Sequence, residues 1–168
     1  MIHVCSLAAL HSTVEATKAS HVLTVMGRVE QVVRPPSIAR DDHCLISVDD
    51  ITEEIDGFVA PAAAHMARVL DFVRGWHRRA PMVIHCYAGI SRSTASAFAA
   101  VCALNPHRNE ADIARQIRAA SPSASPNRLM VTLADVALER DGRMVRALDA
   151  IGPGDMSVAG HPFHVALE

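Results

Sequence analysis

The stretch Met82-Val83-Ile84-His85-Cys86 runs straight into Tyr87-Ala88-Gly89-Ile90-Ser91, and from there into Arg92-Ser93 and a long run of small residues. An apolar strand, a short glycine-bearing loop and a helix, in that order, form a unit of an α/β protein. A strand this uniformly apolar must be covered on both faces, which calls for a central, mostly parallel sheet with helices on both faces. The helix expected over residues 93–104 points its amino end back at the loop. Its unpaired N–H groups and the positive end of its macrodipole make that spot an anion site.

The side chains at this turn are suited to holding a phosphate and attacking its phosphorus. Only the thiolate of a cysteine is a good nucleophile, and a helix amino end, inward-facing amides and a guanidinium all favour that charged form. The loop between Cys86 and Arg92 is long enough to wrap once around an oxyanion. Tyr87, Ala88, Gly89, Ile90 and Ser91 are therefore the expected phosphate-binding residues. Gly89 allows a positive φ or a close approach of the backbone. The planar fork of Arg92 bonds two phosphate oxygens at once and stays charged. Ser93 is placed to donate to the cysteine sulfur. His85, whose side chain leaves the strand on the opposite side from Cys86, is expected beneath the loop as its support. Cys5, Cys44 and Cys102 read as small buried hydrophobes.

A His-Cys pair, five residues and then Arg-Ser resembles the signature of the cysteine-dependent protein tyrosine phosphatases. Ala88-Gly89-Ile90-Ser91-Arg92-Ser93 is most similar to the dual-specificity branch and its small, single-domain bacterial members. Ser125-Pro126-Asn127-Arg128-Leu129 resembles a second feature of that branch, which gives Asn127 a supporting role. The resemblance implies a phosphatase fold, with the phosphate-binding loop between strand and helix, and a phosphocysteine intermediate on Cys86. It implies no metal and no cofactor. It also implies an aspartate general acid on a loop upstream of the cysteine. The matching region is 43–57, where Asp50, the second acid of a pair, is the expected donor. Asp49 is the next choice and Asp56 the last. The Trp-Pro-Asp form of this loop is absent.

Two rival readings share the anion cradle. One is a pseudophosphatase that binds phosphoresidues without turning them over. The other is sulfur or arsenate chemistry, in which Cys44 would serve as a resolving cysteine, although no spacing supports that pairing. The substrate expected from the loop is a phosphorylated protein or a small phosphomonoester. The loop carries no lysine, which disfavours inositol lipids. A shallow pocket for phosphotyrosine, and for phosphoserine or phosphothreonine, fits better, with Tyr87 at its rim or packed inward. Arg115, Arg118 and Arg128 are candidates to meet an acidic substrate.

The rest of the 168-residue chain sets bounds on this reading. One domain over residues 1–151 is expected, followed by a tail, 152–168, that docks as an extra strand or lies over the surface. A net charge of −2 argues against nucleic acid as the main partner. No apolar run approaches the ~20 residues of a membrane span. A required free thiol and the lack of a basic leader segment point to the cytoplasm. Strands are expected at 2–5, 21–26, 44–48 and 82–85. Helices are expected at 7–20, from Pro61 to Trp76, at 93–104, from Asn109 onward, and from Pro126 to 151 with an interruption near Asp141-Gly142. His161 and His164 are too few ligands to make a metal site by themselves.

Overall fold

The computed structural model describes residues 1–167. Its centre is a five-stranded sheet in the order β3-β2-β4-β1-β5. The strands are β1 (Ile2–Ser6), β2 (His21–Val25), β3 (His43–Ile46), β4 (Met82–Cys86) and β5 (Phe163–Val165). The first four pair in parallel. β5 closes the other edge antiparallel to β1, with Val4 opposite Phe163 and Ile2 opposite Val165. The tail therefore supplies an extra strand. Every residue of β2 and of β4 is buried, as central strands covered on both faces require.

Helix α1 (Leu10–Thr17) lies over β1 and β4 on one face, with Leu10, Val14, Val22, Val83 and Ile38 in a small cluster beneath it. The larger core lies on the other face, under α2 (Ala63–Gly75), α3 (Arg92–Leu104), α4 (Glu110–Ala120), α5 (Arg128–Ala137) and α6 (Arg143–Ile151). α3 is the hub of that layer: all eleven of its residues from Arg92 to Cys102 are buried. That explains its composition. A helix enclosed on every side packs closely only if most of its side chains are small. Its buried hydroxyls are satisfied locally: Ser96 donates to the Arg92 carbonyl, and Thr94 to those of Ile90 and Ser91.

Expected boundaries shift for local reasons. The first helix opens as a 3-10 turn, Leu7–Ala9, and stops when Lys18 takes a left-handed conformation at φ 55°. β3 ends at Ile46 instead of Val48, because Val48 and Met26 bond outside the ladder. The interruption expected near Asp141-Gly142 is observed and separates two helices, α5 and α6. Glu139, Asp141 and Gly142 all have positive φ, and the Asp135 carboxylate caps α6 by accepting from Gly142 N at 2.6 Å and Met144 N at 2.8 Å. No helix among the described residues is long and apolar enough to cross a membrane.

Candidate active site

β4 ends at Cys86 and α3 begins at Arg92, so the intervening loop sits beyond the carboxyl ends of the parallel strands. This is where open α/β sheets place their ligands. A loop whose N–H groups face inward must point its carbonyls outward, and each outward carbonyl needs a donor. The fold supplies them. Tyr87 O accepts from Leu7 N at 3.1 Å, and Ala88 O from Gly160 N at 2.8 Å. Ile90 O accepts from Ser125 N at 2.9 Å, and Ser91 O from Ala95 N at 2.9 Å and Asn127 N at 3.3 Å. Gly89 has φ +74°, and a Cβ there would lie 2.7 Å from the Cys5 carbonyl carbon and the Ser6 amide. Only glycine lets the loop lean this closely on β1.

The Cys86 sulfur is buried at the base of the loop, 3.1 Å from Ser93 Oγ, and accepts from Gly89 N at 3.3 Å. Arg92 is also buried. Its guanidinium donates to Val48 O at 3.0 Å, which ties its orientation to the end of the neighbouring chain segment. Its Nε is buried with no hydrogen-bond partner among the described residues and lies 3.8 Å from Asp50 Oδ2. An unpaired buried guanidinium N–H is costly unless a ligand oxygen meets it.

His85 lies beneath the loop, fully buried. Its Nε2 is 2.6 Å from Thr24 Oγ1, which is in turn 2.8 Å from His43 Nε2. Burial pushes the His85 imidazole down to about 4, so it is neutral at physiological pH. The arrangement that gives each group a partner has His43 donating to Thr24, Thr24 donating to His85 Nε2, and His85 Nδ1–H facing the Cys86 carbonyl at 3.4 Å.

The two paired acids are held differently. Asp50 Oδ1 accepts from Ser91 Oγ at 2.7 Å and from Asn127 Nδ2 at 2.9 Å, which turns the carboxylate toward the cradle and Arg92. Asn127 does this while capping α5, since its Oδ1 accepts from Met130 N. Asp49 instead ties its own loop shut: its carboxylate accepts from Val59 N at 2.8 Å and its backbone N–H donates to Val59 O. Asp56 is exposed in the turn before Gly57 and makes no side-chain bond to the cradle among the described residues.

The cleft above the cradle, about 380 Å³, is lined by Met26, Arg28, Gln31, Asp49, Tyr87 and Arg92. Tyr87 stands at its rim, 69% exposed. Arg28 and Gln31 come from the loop after β2, and nothing in their local sequence marked them. The arginines expected to meet substrate are engaged elsewhere. Arg115 pairs with Asp112 and Arg128 with Asp149, while Arg118 donates to the carbonyls of Ala124, Ile151, Gly152 and Pro153. Cys44 sits on edge strand β3, with β2 between it and β4, so it is not next to Cys86. All four cysteines are free. No three His, Cys, Asp or Glu residues converge as a cation site among the described residues, and His164 instead faces His3 across β1 and β5.

A family model described as protein-tyrosine phosphatase matches residues 55–124, which include the whole cradle. The match spans less than half of the chain and falls on the strand, loop and helix that form the cradle. Solved phosphatase structures share the fold of this chain. Human DUSP28 superposes with a TM-score of 0.63 at 17% identity, over 83% of this chain and 88% of that one. DUSP15 gives 0.63 at 18% identity, over 89% of each chain. The PTP-2 phosphatase of Cydia pomonella gives 0.63 at 16% identity, over 80% and 84%. No curated protein sequence matches the chain. The α/β phosphatase fold expected from the strand–loop–helix signature is thus the fold observed.

Proposed function

We propose that the chain hydrolyses phosphomonoesters through a phosphocysteine on Cys86. The observation that carries this reading is the buried Arg92 Nε with no hydrogen-bond partner among the described residues, at the end of a loop that starts at the Cys86 sulfur and whose Tyr87, Ala88, Ile90 and Ser91 carbonyls are taken up by other donors. In the first step the Cys86 thiolate forms an S–P bond as the P–O bond to the leaving group breaks. Arg92 and the loop N–H groups hold the three equatorial oxygens, where charge accumulates in the loose transition state. Asp50 gives its proton to the leaving oxygen. In the second step the Asp50 carboxylate takes a proton from water, whose oxygen attacks phosphorus. The S–P bond then breaks, and the Ser93 hydroxyl stabilises the departing thiolate.

Phosphotyrosine, and phosphoserine or phosphothreonine, suit an open cleft with an exposed Tyr87 at its rim, in a phosphorylated protein or a small phosphomonoester. A cytoplasmic setting, where the thiol stays reduced, suits the same chemistry.

The test is hydrolysis of an aryl phosphate by the wild type and by Cys86→Ser, with and without EDTA. The expected result is turnover that survives EDTA and is abolished by the substitution. Binding of a phosphopeptide with no turnover at any pH would overturn the enzyme reading and leave a phosphoresidue-binding protein.

A further inference from the structure

We propose that the C-terminal segment is a working part of the cradle. Gly160 is a positioning residue that acts on the Cys86 sulfur through the peptide group joining Ala88 and Gly89. The inference rests on Cys86 being the nucleophile. One planar amide carries both contacts. Its oxygen, Ala88 O, accepts from Gly160 N at 2.8 Å, and its N–H, on Gly89, donates to Cys86 Sγ at 3.3 Å. A planar peptide group moves as a unit, so a donor on its oxygen fixes where its N–H points. The same donor draws electron density toward oxygen and makes the N–H a stronger donor to a negative sulfur.

The segment is built to hold that contact in place. Before Gly160 it is pinned through its backbone N–H groups: Gly154 N donates to the Ser125 side chain, Oγ, at 2.9 Å and Asp155 N to Pro122 O at 2.9 Å. Arg118 adds its fork to the carbonyls of Ile151, Gly152 and Pro153. After Gly160 it is pinned by β5, where Phe163 and Val165 are buried. Between the pins, Met156 and Val158 stand almost wholly exposed at 102% and 97%, so burial of its own side chains does not hold the stretch. A Cβ at Gly160 would lie 3.0 Å from Gly89 O, which shows how closely the segment approaches the loop.

Other charged and titratable groups face the same sulfur region. They are Arg92 from α3, Asp49 and Asp50 from the loop after β3, and Arg28 from the loop after β2. To these add Tyr87 in the loop itself and Cys5 on β1, with His85 beneath the loop and the exposed His161 next to Gly160 in sequence. A test must therefore change the Gly160 N–H and leave all of these in place.

Replacing Gly160 with glycolic acid does so, exchanging the N–H for an ester oxygen of similar size. Gly160→Pro removes the same donor by ordinary mutagenesis. The readout is the rate of Cys86 alkylation by iodoacetamide, followed on the Cys86 peptide at about pH 6 and about pH 9, since only the thiolate reacts. Val165→Ala serves as a control that weakens β5 but keeps the donor. The expected result is a fall of about three- to tenfold at the lower pH in both Gly160 variants, convergence at the higher pH, and no change in Val165→Ala. An ester variant that alkylates at the wild-type rate at both pH values would overturn the proposal. So would an equal fall in Val165→Ala. Alkylation needs no turnover. A chain that shows the expected pattern yet hydrolyses no phosphomonoester would support this inference and refute the proposed function.

Discussion

Asp49 and Asp50 are adjacent in sequence, and their hydrogen bonds give them different roles. Asp49 spends its carboxylate on Val59 N, whereas Ser91 and Asn127 aim that of Asp50 at the cradle. Asp50→Asn should therefore lower kcat on an aryl phosphate about 100-fold and steepen its dependence on leaving-group basicity, because the leaving oxygen then departs unprotonated. Asp49→Asn should act mainly through loop stability; if it reproduces the leaving-group effect and Asp50→Asn does not, the assignment is wrong by one residue. His85 makes a different prediction, about stability. Its folded-state value, about 4, lies below the ~6.5 of an unfolded histidine, so the unfolded chain binds the proton first. The stabilisation from neutral His85 is complete above about pH 6.5 and is lost as pH falls toward 4, by about 2 kcal/mol between pH 7 and pH 5. Urea unfolding at the two pH values should show this loss, and His85→Asn should reduce it. Cys86, Gly89 and Arg92 were legible in the sequence because their offsets are set by one turn of backbone around an anion. Arg28 and Thr24 were not, because strand pairing brings them to the site from far along the chain.

At the level of elements, hydrophobic period and capping residues carried most of the fold. Asn109 and Asn127 cap α4 and α5, each with its side chain accepting from the first turn. The break between α5 and α6 falls where Asp141-Gly142 marks it, but its packing depends on a residue that periodicity does not single out. Arg140 turns inward between the two helices and donates to Cys102 O at 2.7 Å, Pro106 O at 2.8 Å and Glu110 Oε1 at 3.0 Å. Its side chain and that of Glu110 are 7% and 5% exposed, so the pair is a buried joint between α3, α4 and the α5–α6 turn. Removing one partner from such a pair leaves an uncompensated charge. Glu110→Ala should accordingly cost about 3–5 kcal/mol in urea unfolding. The double variant with Arg140→Met should recover a good part of that loss, because no buried lone charge remains: Arg143, the other partner of Glu110, is 47% exposed. A double variant no more stable than Glu110→Ala would refute the buried-joint account.

For the molecule as a whole, the least legible element was the one that completes both the sheet and the cradle. After Gly152 the sequence has no period to follow, because its order comes from pairing with β1 and from Arg118, contacts made across the whole chain. β5 covers what would otherwise be the open edge of β1, a row of unpaired backbone groups in a strand with Ile2 and Val4 wholly buried. A chain ending at Ile151 would lose the burial of Phe163 and Val165 and present that edge to solvent. Exposed edges of this kind pair with other chains. The shortened chain should therefore melt several degrees lower and associate in a concentration-dependent way, as read by calorimetry and by light scattering after size exclusion. Adding back charge at the edge, with His3→Lys in the shortened chain, should suppress association without restoring the melting temperature. If the shortened chain stays monomeric at the full melting temperature, β5 adds nothing to the fold, and the hydrogen bond from Gly160 would have to act without an anchored strand behind it.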